Sequence, residues 1–257
     1  MPIAQRDPIR RVLAVFAAAI AAVALAGAPA PAAEPKGPSP TIPQEKDPAR
    51  HQEFLAIAKA GGVDLLFLGD SITDGWRGGG RAVWDKYFAP FHAANFGIGG
   101  DRTEHVLWRL RNGELEGIQP KLVVLMIGTN NGDPAEDVAK GVQAILVEIH
   151  AHCPKTRILL VGIFPRGVDA TDGQRLKNDQ VNKIIAKYAD GHNLIYLDIG
   201  AKFLAADKKT LPADIMPDHL HPNEKGYQIW ADAIIDTVKA MMSDEPAKPD
   251  KKGKPAP

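Results

Sequence analysis

Four short clusters in this chain carry the side chains that acyl transfer needs. Ser71 follows Gly69 and Asp70, and Gly99 and Gly100 precede Asp101. Thr129 and Asn130 follow Gly128, and Asp218 stands three residues before His221. A serine hydroxyl is a weak nucleophile until an imidazole takes its proton, and a carboxylate keeps that imidazole in one tautomer. Backbone N–H groups and an amide side chain can stabilise the negative oxygen of a tetrahedral intermediate. Ser71 is thus a candidate nucleophile, Asp218 and His221 an acid–base pair, the glycines backbone donors and Asn130 an amide donor. Each has a plainer use: a serine after Gly-Asp can be a helix N-cap, paired glycines a turn, and Thr-Asn an Asx turn. Their conjunction is the signal, because one reaction would use all four.

The elements around them explain how they could meet. Apolar, β-rich runs at 63–68, 93–98, 122–127, 157–163 and 193–198 have the length and continuity of strands buried on both faces. Helical periodicity separates them. In 134–150, Val138, Val142, Ile145 and Ile149 share one face and Asp133 stands as a plausible N-cap. Residues 174–188 and 224–242 read similarly, with Pro222 suited to the first turn of the last helix. Alternation of this kind predicts an α/β fold, a parallel sheet with helices on both faces, and function on loops beyond the carboxyl ends of the strands. The four clusters sit on such ends.

Composition bounds the rest. With 257 residues, 45% hydrophobic, the chain suits one sizeable domain, placed at 48–243. Lys+Arg and Asp+Glu both number 31, so no basic excess points to nucleic acid. A single cysteine, Cys153, excludes an intramolecular disulfide and any cysteine-built metal cluster. Arg6, Arg10 and Arg11, the apolar run 12–26 and Ala30-Pro31-Ala32 read as a secretory signal cleaved near Ala32. At 1.5 Å per residue that run reaches about 22 Å, short of a hydrocarbon core of about 30 Å, which favours cleavage over anchoring. Cleavage removes three Arg and one Asp, leaving the formal charge at −2. The expected setting is secreted or periplasmic. Residues 33–47 are expected to be a Pro-rich disordered linker and 244–257 a solvated tail.

In order along the chain, Gly69-Asp70-Ser71, Gly100, Gly128-Thr129-Asn130 and Asp218-x-x-His221 resemble the four sequence blocks of the SGNH (GDSL) hydrolases. The runs at 95–101, 105–110 and 112–115, with Pro165-Arg166-Gly167 and Asn178, Val181 and Asn182, are similar to the intracellular platelet-activating-factor acetylhydrolase Ib branch. The resemblance spans roughly residues 54–240. It implies a three-layer, flavodoxin-like α/β fold with a five-stranded parallel sheet, and a serine esterase without cofactor or metal. Ser71 would be the nucleophile, His221 the base and Asp218 its partner. The oxyanion would meet the Ser71 and Gly100 N–H groups and the Asn130 amide.

Ile72 and Leu220, flanking nucleophile and base, are expected to narrow the acyl pocket toward acetyl. The alcohol half of the ester would face the loops 76–81 and 166–173. The substrate is then a short-chain ester of a carbohydrate, lipid or small alcohol. A lysophospholipase or thioesterase, and an inactive binding module, remain alternatives, and the resemblance also allows a homodimer.

Other motifs are weaker. No G-x-S-x-G occurs, so the nucleophile elbow of α/β-hydrolases is absent. The Gly97–Arg102 run lacks the last glycine of a dinucleotide fingerprint. His150 with His152, and His219 with His221, could be read as zinc pairs, but zinc usually takes three or four ligands. His150 and His152 end an amphipathic helix, where cations suit the dipole, and His219 is expected to be a loop residue. Cys153 is expected to be a buried, inert thiol. Trp76, Trp84, Trp108 and Trp230 could line a cleft, though core packing explains Trp108 and Trp230 more simply.

Overall fold

The structure is a computed structural model, and it describes residues 39–243. The expected signal (1–32), the first part of the linker (33–38) and the tail (244–257) lie outside the described residues.

Five apolar stretches form the sheet: β1 (Leu65–Gly69), β2 (Ala93–Gly97), β3 (Leu122–Met126), β4 (Arg157–Val161) and β5 (Leu194–Leu197). All neighbours pair in parallel, in the order β2-β1-β3-β4-β5. Leu65 is level with Ala93 on one side and Leu122 on the other, so these three strands end together. The helices are α1 (Pro48–Ala60), α2 (Ser71–Asp74), α3 (Arg81–Tyr87), α4 (Thr103–Arg109), α5 (Ala135–His152), α6 (Gly173–Ile185) and α7 (Glu224–Met242).

Alternate residues of the central strands serve two separate cores, as a period of two requires. Leu66, Leu68, Val123 and Leu125 pack with Phe54 of α1, Val106 of α4, Val142 and Ile145 of α5 and Val181 of α6. Leu65, Phe67, Val124 and Met126 pack with Trp84 of α3 and Trp230, Ile234 and Val238 of α7. β1 and β3 are buried along their whole length. The expected three-layer architecture is the observed one. The strand order reverses between β1 and β3, and in such sheets the crevice beyond that point is where ligands bind.

Several local expectations need correction. α5 is capped by Pro134, not Asp133, with no side-chain cap bond. Asp133 instead lies 3.4 Å from Asn131 Nδ2. Pro222 stands before the last helix: Asn223 is its N-cap, its side chain accepting from Gly226 N at 3.1 Å. The helix expected at 174–188 stops at Ile185 and tightens into a 3₁₀ turn over Ala186–Tyr188. The linker expectation fails over 39–47. Pro40 is buried and its carbonyl accepts from Thr103 Oγ1 at 3.0 Å. Gln44 N–H donates to Glu104 O at 3.1 Å, and Asp47 caps α1 by accepting from Arg50 N at 3.0 Å. Proline content signalled disorder here, but tertiary partners hold the segment as a strap across α4.

Candidate active site

At the end of β1 the chain turns directly into α2. Asp70 is the N-cap, its Oδ1 accepting from Ile72 N at 3.0 Å, so Ser71 opens the helix instead of capping it. Seating α2 this close to β2 requires Gly97, where a β carbon would lie 2.3 Å from the Asp74 nitrogen. From the opposite side, Tyr227 of α7 donates its hydroxyl to Ile72 O at 2.8 Å. The serine is therefore held on a short, braced turn at the sheet's carboxyl edge.

Ser71 Oγ donates to His221 Nε2 at 2.8 Å. His221 Nδ1 in turn donates to Asp218 Oδ2 at 2.6 Å. Asp218 Oδ1 accepts two further N–H groups, from Leu220 at 3.0 Å and from His221 at 2.7 Å. Partial burial pushes the Asp218 carboxyl up, but the His221 ring and these two N–H groups outweigh it and hold it at about 2. A charged Asp218 keeps the imidazole proton on Nδ1 and leaves the Nε2 lone pair facing Ser71. The relay is open to solvent: the His221 and Asp218 side chains are 42% and 56% exposed.

On the other side of Ser71 the chain turns through residues 98–101, with Asp101 N–H donating to Ile98 O at 3.1 Å. A β carbon on Gly99 would stand 4.0 Å from Ser71 Cβ, so this turn runs beside the serine. Asn130, at the end of β3, donates one amide N–H to Asp101 O at 2.9 Å, and the other has no partner among the described residues. Among the described residues, the Ser71 and Gly100 N–H groups have no hydrogen-bond partner. Three unspent donors thus sit on three adjacent strand ends and are the candidate donors for a developing oxyanion.

Beneath the turn lies a buried network of charges that the sequence analysis missed. The Asp101 carboxylate is fully buried and accepts from Arg109 Nε and Nη2 at 3.1 and 3.0 Å. Burial pushes the Asp101 carboxyl up, with Arg109 and Lys46 opposing. Arg109 also binds Glu114 and donates to Phe96 O at 3.1 Å, and Glu114 pairs with His51 Nδ1 at 3.0 Å. The one visible hint was Arg109, a charged residue between Trp108 and Leu110; Asp101 and Glu114 each follow a glycine and carry no such mark. Asp70 is 1% exposed, and its Oδ2 has no partner among the described residues. Burial, with the nearby Asp101 charge adding, raises the Asp70 carboxyl to about 7, against the opposing Ile72 N–H and His221.

The remaining expected residues fall as follows. Leu220 is half-buried beside His221, whereas Ile72 is 1% exposed, so it can meet an acyl group only as a buried floor beneath Ser71. His219 is a loop residue whose Nδ1 donates to Leu211 O at 3.0 Å. Its carbonyl accepts from Gly167 N at 2.9 Å, which ties the 166–173 loop to the base loop. Cys153 is buried and its thiol is pushed up by burial, partly offset by Thr156. Trp76, Trp84 and Trp230 belong to the core, and Trp108 packs edge-on against His51 at 4.9 Å.

Comparison with known proteins points the same way. The sequence profile of the GDSL-like Lipase/Acylhydrolase family matches residues 67–229. The chain is 38% identical to human platelet-activating factor acetylhydrolase IB subunit alpha1 over 197 residues, covering 76% of this chain and 84% of that one. It is 35% identical to the rat alpha2 subunit over 218 residues, 84% and 93% of the two chains. Among solved structures, an acetylxylan esterase from Geobacillus stearothermophilus superposes with a TM-score of 0.56 at 22% identity, covering 72% of this chain and 96% of the other. A GDSL-like lipase from Bacteroides thetaiotaomicron gives a TM-score of 0.56 at 20% identity, over 74% and 97%. These two likenesses bear on the fold.

Proposed function

Because the chain belongs to the GDSL-like lipase/acylhydrolase family and is a carboxylic ester hydrolase, we propose that it is an exported serine esterase that removes short acyl groups, acetyl foremost, from carbohydrate, lipid or small-alcohol esters. The single observation that carries this reading is the unbroken relay from Ser71 Oγ through His221 to Asp218, at 2.8 and 2.6 Å.

The chemistry follows from those contacts. His221 Nε2 takes the Ser71 proton as Oγ forms a bond to the ester carbonyl carbon. The carbonyl π electrons move onto oxygen, where the Ser71 and Gly100 N–H groups and the second Asn130 N–H receive them. Asp218 stabilises the imidazolium without itself taking the proton. As the tetrahedral intermediate collapses, the C–O bond to the alcohol breaks and His221 returns the proton to the departing oxygen. Water then repeats the sequence on the acyl-serine, releasing the carboxylic acid. The solvent-exposed His221 and Asp218 leave room for bulky alcohols, and Leu220 with the buried Ile72 favours a small acyl group. The acetyl preference also draws on the acetylhydrolase relatives. Export draws on the apolar run at 12–26 and its flanking arginines.

Hydrolysis of p-nitrophenyl esters from acetate to palmitate, with Ser71→Ala in parallel, tests the reading. Turnover highest on acetate and lost in Ser71→Ala is expected. A preference for long chains would instead establish a lysophospholipase-like enzyme, and turnover untouched by Ser71→Ala would overturn the site.

A further inference from the structure

Lys46 lies on the strap of residues 39–47, well before the first strand, and nothing in its sequence context marks it. Its ammonium nevertheless reaches the turn beside Ser71. Nζ donates to Gly99 O and lies 3.4 Å from the buried Asp101 Oδ1. A β carbon on Gly100 would sit 3.3 Å from the same Nζ, so the lysine head lies directly against this turn. The strap holds it there from both sides, through the contacts of Pro40 and Gln44 with α4 and the Asp47 cap on α1.

The turn's geometry gives this contact a consequence. Residues 98–101 close with the Asp101 N–H donating to Ile98 O, and Gly100 has φ +72°. A positive φ at the third residue is what a type II turn requires; a type I turn has φ near −90° there. The two forms differ by a half-rotation of the central peptide, here the one joining Gly99 and Gly100. With glycine on both sides of that peptide, the rotation meets little steric resistance. In a trans peptide the carbonyl and the N–H point in opposite directions. Whatever holds Gly99 O therefore also aims the Gly100 N–H.

We infer that Lys46 is a positioning residue for ester hydrolysis: by holding Gly99 O, it locks the peptide in the form that points the Gly100 N–H into the oxyanion site. It also strengthens that donor, since a cation on the carbonyl draws electron density from the amide nitrogen. The inference rests on the proposed oxyanion role of Gly100. It extends the functional machinery to a segment whose composition suggests only a linker.

Lys46→Met removes the charge and keeps the length, and Lys46→Arg restores a donor. Loss of one oxyanion donor typically costs about 10²–10³ in rate, so a loosened one should lower kcat by about 10- to 100-fold with KM held within about twofold. Lys46→Arg should recover most of the loss, and added ethylammonium should partly restore Lys46→Ala. A general structural role predicts neither the selective fall in kcat nor the recovery. Two outcomes overturn the inference alone, provided Ser71→Ala is inactive: kcat within twofold of wild type in Lys46→Met, or a fall that neither Arg nor ethylammonium repairs. If Ser71→Ala still turns over ester, the reading of the site fails and the inference fails with it.

Discussion

The Asn130 side-chain amide donates to the backbone carbonyl of Asp101 at 2.9 Å, tying the end of β3 to the turn that follows β2. Ser71 lies between them, at the end of β1. One bond therefore aligns the second Asn130 N–H and keeps the turn carrying Gly100 in place.

Asn130→Ala removes that alignment and one donor together. Turnover should fall by about 10²–10³, with the thermal midpoint almost unchanged because Asn130 is only half-buried. Steady-state rates on p-nitrophenyl acetate within threefold of wild type would exclude Asn130 from the oxyanion site.

Asp218→Asn tests the relay. The amide can present an N–H to His221 Nδ1, favouring the tautomer whose Nε2 proton blocks Ser71. A buried triad loses about 10⁴ in kcat from this change. Asp218 is more than half exposed, so solvent screening softens the effect, and a loss of about 10²–10⁴ is expected. Rates unaffected by the substitution would show that Asp218 does not orient the imidazole.

The buried Asp70 should leave a mark on stability rather than on chemistry. Its carboxyl is held at about 7 in the folded protein against 3.8 ordinarily, chiefly by burial. Between these values the folded state keeps a proton that the unfolded chain has released. The contribution is thus complete below about pH 4 and is lost as pH rises through about 7. Asp70→Asn imitates the protonated side chain and should flatten the profile of Tm against pH over that window. Parallel profiles for the two proteins would show that Asp70 does not hold the proton.

Leu220 is the half-buried apolar side chain beside the base. Leu220→Ala should raise the rate on butyrate relative to acetate by several-fold, since each CH₂ accommodated by an apolar pocket is worth about 0.8 kcal/mol. Wild-type rates that climb steadily from acetate to octanoate would mean that neither Leu220 nor Ile72 limits acyl length.

The sequence by itself determined the sheet and singled out the three residues that the structure joins by hydrogen bonds, Ser71, His221 and Asp218. The strand runs lie within two residues of the observed strands; β1 and β3, buried on both faces, must be continuously apolar, whereas the edge strands β2 and β5 are only partly buried. Ser71, Asp218 and His221 were legible because acyl transfer permits few residue types, and strand ends permit few places to put them. Only the tertiary structure decided how these groups are held. Pro134, not Asp133, stands at the N-cap of α5 with no side-chain cap bond, and Asp70, whose side chain accepts from Ile72 N, caps α2 and leaves Ser71 as its first residue. The Asp101–Arg109–Glu114–His51 network joins residues up to 63 positions apart with no periodicity between them. Lys46 comes within 3.4 Å of a carboxylate 55 positions away. Such contacts arise from the path of the folded chain in space, which no local pattern of residues encodes.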